Sequence, residues 1–518
     1  MRPLVGFAQS LRIDRTTKDT YALSDDLLME AAAIGMAHIL FNDDSLRRSL
    51  DAGEPPALAI CGGGNNGGDA LALLRRLAFS GRRGLVALVP TRLGDTCAHR
   101  LSEATRAGVT MLAPDDSRVN DAIREAGIVI DGAAGVGFKG GLRPELARLI
   151  GLMRHAPCPV VAIDVPSGLG SLPDPGLEPE QAVCASVSLC VDPLKAELYY
   201  QGNRSNAGRI IPVSGVFPVS AGRDSSVSLL EPDDLGSHLP FLDPDCHKGQ
   251  RGALGVFAGC PGSTGAAVLC SKAASAAGAG SVTLLVQDQI VPILSSLLVS
   301  QMVRSATQPG TRRFDAIVAG PGWGINGANE RRLDELWDSA LPLVLDADAL
   351  RLLAASPREP RCSPLMLTPH PGEFASLAAI AGGADPRDAL SFAAACSVAA
   401  RRARYDTSAV LADTARHFAA VIVLKGSVTW IGEPDGRMAV WDGRDPGLAC
   451  AGSGDVLAGL AGGFMARGAS AWDAAIAAVI SHALAGRALA FKGFYEAGDL
   501  LAPVAALASK RSLDGNEG

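Results

Sequence analysis

Residues 62–69, GGGNNGGD, place five glycines, two asparagines and an aspartate between a short apolar run and a helical pattern. Glycine tolerates positive φ and lets a ligand touch the main chain, so such a turn after a strand can aim several N–H groups at an anion. The spacing is neither GxGxxG nor a Walker loop, since no GK[ST] follows. Asn65 and Asn66 add amide oxygens to the donors, which suits a site holding an anionic ligand together with a bare cation. The competing reading is purely structural: a tight strand-to-helix turn with Asp69 as the helix N-cap. Two more acidic positions follow apolar runs, Asp131 in DGAAGVGFKGG (131–141) and Asp164 in DVPSG (164–168). Both fall at the carboxyl ends of expected parallel strands, where open α/β sheets bind ligands.

The second half repeats the logic with other parts: GSTGAA (262–267), GPGWG (320–324), DADAL (346–350), TPHPGEF (368–374), VLKGSVT (423–429) and AGSGDVLAG (451–459). The last is the sharpest. Gly452, Ser453 and Gly454 can form an anion hole at a helix N-terminus, while Asp455 can take a proton from a substrate hydroxyl or act only as a cap. His370 could equally be a satisfied core histidine, and Lys425 a surface charge at a strand end.

These residues need a frame, and the apolar pattern supplies one. Runs at 57–61, 84–89, 127–131, 159–164 and 186–191 read as buried strands separated by helical stretches, which implies a parallel sheet covered on both faces. The Ala-rich LSDDLLMEAAAIGMAHIL (23–40) reads as an added helix. Periodicity fails over 214–232, the best linker, so domains are expected over 1–218 and 226–518. A second alternating series follows, with strands expected at 253–259, 281–286, 316–320, 342–348, 365–369 and 420–426, then an Ala-rich helical tail. Asp473, His482 and Arg487 argue against a membrane span in that tail.

Five hundred and eighteen residues allow two large α/β domains. A net charge of −7 disfavours nucleic acid as the main partner. Eleven cysteines without a CxxC pair indicate neither a disulfide framework nor a zinc site, and the N-terminus lacks the apolar core of a signal peptide. A cytoplasmic location without membrane association is expected.

NNGGD, DVPSG, HPGE and GSGD, in this order and with their neighbours, resemble a known pair of families. The first half is similar to NAD(P)H-hydrate epimerases and the second to ADP-dependent NAD(P)H-hydrate dehydratases. The resemblance implies two three-layer αβα domains, an N-terminal one with a Rossmann-like parallel sheet and a C-terminal one with a ribokinase-like sheet. It implies that Asn65, Asn66, Gly67, Gly68 and Asp69, with Gly135, Val136, Gly137, Phe138, Lys139, Gly140 and Gly141, and with Asp164, bind the hydrated dinucleotide. Asn66, Asp131 and Ser167 would hold K+, and Asp164 is the candidate proton-transfer group. In the second half Ala266, Gly322, His370 and Asp455 would meet the hydrated nicotinamide, with Asp455 catalytic. Lys425, Gly426, Ser427, Val428 and Thr429, with Gly452, Ser453 and Gly454, would bind ADP, accompanied by Mg2+. The expected substrates are NADHX, NADPHX and ADP, and a homo-oligomer is expected.

Some positions depart from the family pattern: Ala70 stands where glycine is common, AAAIG (31–35) replaces NAG, and Asp445, Cys450 and Ala451 stand where Asn, Thr and Gly are common. An extra carboxylate near a nucleotide is costly unless paired. Two other functions fit parts of the sequence. AGSGD alone suits an ATP-dependent small-molecule kinase, which would release a stable phosphorylated product. A non-catalytic dinucleotide sensor would be stabilised by ligand without consuming nucleotide. Neither accounts for NNGGD and DVPSG on the same chain as HPGE.

Overall fold

The computed structural model describes residues 1–51, 55–138, 142–169, 182–307 and 313–509. Two compact units divide the chain close to Ser225. In the first, strands β1 (Arg2–Val5), β2 (Ala57–Cys61), β3 (Leu85–Leu88), β4 (Thr110–Leu112), β5 (Ile128–Gly132), β6 (Val160–Ile163), β7 (Val187–Val191), β8 (Leu194–Lys195) and β9 (Arg209–Val213) alternate with helices. Seven form a parallel sheet in the order β4-β3-β2-β5-β6-β7-β9, while β8 pairs with β1. Strands β2, β5, β6 and β7 are buried along their whole length, as expected of a sheet covered on both faces. Because the chain runs outward from β2 through β3 to β4 and then returns to β5, the order reverses between β2 and β5. That crevice is where such sheets bind ligands.

The added helix is present as Asp25–Asn42, started by Ser24, whose hydroxyl accepts from Leu27 N–H at 3.2 Å. It packs on helix Asn65–Phe79 so closely that a Cβ at Gly68 would lie 3.0 Å from the Met29 side chain. A polar clamp ties both helices to a third, Asp95–Arg106: Arg75 donates to Glu30 and, at 2.9 Å, to Glu103, while Arg100 donates to Glu103 at 2.7 Å and to the Asp26 carbonyl at 2.6 Å. A further helix, Phe7–Tyr21, precedes it and was not expected from the sequence.

The second unit contains β10 (Val227–Leu229), β11 (Ala253–Phe257), β12 (Ser281–Val286), β13 (Met302–Ser305), β14 (Ala316–Ala319), β15 (Leu343–Leu345), β16 (Leu365–Leu367), β17 (Val421–Leu424), β18 (Thr429–Gly432) and β19 (Met438–Trp441). Their order is β13-β12-β11-β14-β15-β16-β17-β18-β19-β10. The sheet is parallel from β13 to β17, then turns antiparallel through β18 and β19. Here the order reverses between β11 and β14. Strand β10 corrects the linker expected over 214–232: Val227 pairs with Met438 in register, and three residues are too few to show a period.

Helix Ser453–Ala466 is pressed onto that second crevice through glycines. A Cβ at Gly459 would stand 2.2 Å from the Cys270 carbonyl on helix Thr264–Ala276, and one at Gly462 would stand 2.1 Å from Val318 on β14. Helix Ala471–Ala490, long and apolar enough to cross a membrane, has most of its residues buried in the core of this unit.

Candidate active sites

In the first unit, the chain leaving β2 passes directly against the chain leaving β5, with Gly62 N–H donating to the Gly132 carbonyl at 2.9 Å. A Cβ at Gly67 would fall 1.9 Å from the Gly62 carbonyl, so this corner excludes every side chain. The helix begins at Asn65 with Gly64 as its N-cap, which corrects the alternative of Asp69 as the cap: Asp69 lies one turn inside. Above the corner opens a cavity of about 440 Å³. Of the expected dinucleotide-binding residues it is lined by Asn65, Asn66, Gly67, Asp69, Gly135, Val136, Gly137, Phe138 and Asp164. Gly68 instead faces Met29, so its role is packing. Lys139, Gly140 and Gly141 lie outside the described residues.

Beneath the cavity floor, Asp131 is fully buried. Its Oδ1 accepts from the Ser167 hydroxyl at 2.5 Å and its Oδ2 from Ser167 N–H at 2.7 Å. The Ser167 hydroxyl oxygen also accepts from Ala134 N–H at 2.7 Å, and Asn66 Nδ2 donates to the Ala134 carbonyl at 3.2 Å. Asn66, Asp131 and Ser167 are thus joined around one stretch of backbone. Burial raises the Asp131 carboxyl to about 6, against the opposing effect of the Ser167 donors.

Asp164 has a left-handed backbone (φ +63°), a conformation that non-glycine residues take at a cost and that clusters at functional sites. Its Oδ1 accepts from Lys195 Nζ at 2.5 Å and from Val191 N–H at 3.1 Å. On the same wall, burial and the charge of Asp164 push the Asp69 carboxyl well above the carboxylate range. The sequence reading missed Lys195 and the contributions of both N-terminal helices, including Asp14, Asp25 and Met29. Lys195 closes the two-residue strand β8, and no glycine marks it.

The second unit uses its own crevice in the same way. Gly259 N–H donates to the Pro321 carbonyl at 2.9 Å, tying the ends of β11 and β14. Gly322 (φ +54°) lies under the GSTGAA turn, where a Cβ would be 2.9 Å from Ser263 and 3.0 Å from Ala266. Three strands beyond β14, at the end of β17, Lys425 donates to Asp346 at 2.7 Å, and Asp346 accepts from the Thr368 hydroxyl at 2.9 Å. Lys425 Nζ also stands 3.4 Å from where a Gly454 Cβ would be, at the first turn of helix Ser453–Ala466. Asp455 in that turn is raised to about 6 by burial and by Asp346, with Lys425 opposing. The Ser453 hydroxyl is 3.2 Å from His482 Nε2, and burial drives that imidazole down to about 4, so it is neutral at neutral pH.

His370 is an exposed N-cap rather than a core histidine. Its Nδ1 accepts from Gly372 N–H at 3.0 Å, which leaves Nε2 as the protonated nitrogen of the neutral ring. Val428 is completely buried, so it supports the turn from within, while Gly426, Ser427 and Thr429 flank it on the way into β18. Asp445 caps its own short turn by accepting from Gly447 N–H at 3.0 Å.

A family model described as NAD(P)H-hydrate dehydratase matches residues 254–503, and one described as YjeF-related protein N-terminus matches 25–196. The bifunctional NAD(P)H-hydrate repair enzyme Nnr of Mycobacterium leprae is 32% identical over 469 residues, covering 90% of this chain and 89% of that protein. This chain belongs to the bifunctional NAD(P)H-hydrate repair enzyme family. The member from Moorella thermoacetica is 31% identical over 512 residues, covering 93% of this chain and 92% of its own. The Escherichia coli member is 28% identical and covers 84% of this chain and 80% of its own. Among solved structures, the ADP/ATP-dependent NAD(P)H-hydrate dehydratase from Bacillus subtilis, co-crystallised with ATP and Mg2+, aligns with 55% of this chain and 99% of its own, at 24% identity and a TM-score of 0.48. As a repair-family member the chain pairs an epimerase unit with a dehydratase unit, and each unit carries its crevice at a sheet reversal.

Proposed function

We propose that the first unit interconverts the R and S epimers of hydrated NAD(P)H while the second dehydrates the S epimer back to NAD(P)H at the expense of ADP. Lys425 and Asp455 meeting at the first turn of helix Ser453–Ala466 is the observation that carries the dehydratase assignment. Hydroxide is a poor leaving group, so the C6 hydroxyl of the reduced ring is first phosphorylated. Asp455 takes the hydroxyl proton, the oxygen bonds to the β-phosphorus of ADP, and the phosphoanhydride bond breaks to release AMP. Lys425 and the N–H groups of Gly452, Ser453 and Gly454 hold the developing phosphate charge. The ring nitrogen then expels phosphate from C6, and loss of a C5 proton restores the dihydronicotinamide.

His370 and Gly322 border the nicotinamide in this reading, with Ala266 closing the other side. Among the described residues no group of three His, Cys, Asp or Glu side chains could hold a metal, so Mg2+ enters on the nucleotide phosphates, in keeping with its preference for substrate oxygens. In the epimerase unit, Asn66, Ser167 and the buried Asp131 carboxylate fit K+, whose charge Asp131 lacks from any nearby side chain in its bonding set. K+ would balance that carboxylate and hold the floor of the dinucleotide cavity in place. A cytoplasmic homo-oligomer completes the reading, and light scattering of the purified protein tests the assembly.

The chemistry is tested by supplying the S epimer with ADP and following absorbance, AMP and phosphate together. Equal amounts of AMP, phosphate and recovered dihydronicotinamide are expected, with the rate falling as pH drops through about 6 and Asp455 becomes protonated. A stable phosphorylated coenzyme would assign a kinase instead.

A further inference from the structure

The epimerase cavity contains a buried cation that the reaction as described leaves unused. Lys195 is 1% exposed, and besides Asp164 it donates to the Val191 carbonyl at 2.6 Å. Burial works against its charge, and the surrounding acidic groups, Asp164 foremost, together more than offset it. Asp164 Oδ1 therefore has three donors, Lys195, Val191 N–H and, at 3.8 Å, the Cys190 thiol, whereas Oδ2 accepts no hydrogen bond from the described residues. The Asp164 side chain keeps 15% of its surface exposed and belongs to the cavity wall. One oxygen is fixed and the other is presented.

We propose that Lys195 is a positioning residue for epimerisation, pinning Oδ1 of Asp164 so that Oδ2 faces the substrate as the base for the C6 hydroxyl. This rests on Asp164 being the proton-transfer group. C6 carries both the hydroxyl and the ring nitrogen, so its configuration is lost by ring opening. Oδ2 takes the hydroxyl proton, the O–H electron pair forms the C6=O bond, the C6–N1 pair passes to nitrogen, and Asp69 gives that nitrogen a proton. Rotation about C5–C6 and the reverse steps yield the other epimer with both carboxyl groups restored, and no redox partner is consumed. The charged and titratable groups around Asp164 and Lys195 are Asp69, Cys190, Asp192 and Glu197, with Asp14 farther along the wall and Arg100 acting on Asp69. Cys190, 3.8 Å from Asp164, is raised to about 12 by burial and stays a neutral thiol. Lys195 is thus the cation in direct contact with the pair's reactive carboxylate.

The test measures epimer exchange without nucleotide, by chromatography, for Lys195→Met, Lys195→Arg, Asp164→Asn and the double variant Asp164→Asn/Lys195→Met. Lys195→Met is expected to lower kcat by roughly 10–100-fold with KM little changed, a common cost of losing the group that orients a reacting residue. Its acid limb should move to higher pH, because a carboxylate deprived of its cation holds its proton longer. Lys195→Arg should recover most of the rate. In the double variant, which removes both buried charges, Lys195→Met should cost nothing beyond Asp164→Asn. Circular dichroism and the thermal transition of the first unit, compared with those of the unsubstituted protein, report that each variant is folded. Unchanged kcat and pH profile in Lys195→Met, or costs that simply add in the double variant, would overturn the proposal. Full exchange activity in Asp164→Asn would instead remove the reading of Asp164 on which it rests.

Discussion

Single residues decide the two sites through their charge environments. Asp131 and Asp455 are both raised to about 6 by burial, yet they stand in different settings: Asp455 has Lys425 nearby, whereas among the described residues Asp131 accepts only from neutral donors. Between roughly pH 4 and 6 the folded first unit without a cation therefore retains a proton on Asp131 that the unfolded chain has released, and its stability falls as pH rises through that window. A bound K+ needs the ionised form and reverses the balance. K+ in place of Li+ should raise the melting temperature of the first unit at pH 7.5 by about 2–4 °C, the shift that one kcal/mol produces in a unit of this size. The gain should vanish below about pH 5 and in Asp131→Asn. An equal shift at both pH values would show that K+ acts elsewhere.

Elements carry the residues by close approach of backbones, which explains what the sequence did and did not disclose. Runs such as ALAIC (57–61) and SVTLLV (281–286) coincide with β2 and β12, since strands buried on both faces read as unbroken apolar stretches. Asp131, Asp164 and Asp455 stand where strand ends and a helix start were expected, because an acid at the edge of an apolar run with glycine within a few residues marks a turn. Strands β4, β8 and β10 have two or three residues and no legible period. Lys195 belongs to one of them, so the cation behind Asp164 was hidden with it. The hairpin β18–β19 was missed although Asp435-Gly436 is a hairpin signal, with Gly436 at φ +95°. Gly452 and Gly454 of AGSGDVLAG were read as anion binders, whereas the later glycines of the same helix serve packing, Gly459 against helix Thr264–Ala276 and Gly462 against β14. Gly462→Ala should destabilise the second unit by about 1–3 kcal/mol through overpacking against Val318, read as an earlier unfolding transition in urea. An unchanged transition would mean that this helix does not need its close seat.

At the scale of the whole molecule, each unit has its own sheet and its own reversal of strand order, and the two proposed carboxylate bases fall one in each. Asp164 and Asp455 lie on different units, so the two reactions are separable by single substitutions even though they share a coenzyme. Whole-chain likeness to repair-family members over about nine-tenths of both lengths supports the pairing, and the net charge of −7 leaves recognition of the anionic substrates to local backbone and lysine groups. The most direct measurement supplies mixed epimers with ADP to Asp164→Ala and Asp455→Asn and resolves both epimers by chromatography while dihydronicotinamide absorbance is followed. Asp164→Ala should consume the S epimer at the normal initial rate and leave R behind, changing only as fast as it does without enzyme. Asp455→Asn should exchange the epimers while recovering no absorbance, and loss of both activities in either folded variant would contradict two independent sites.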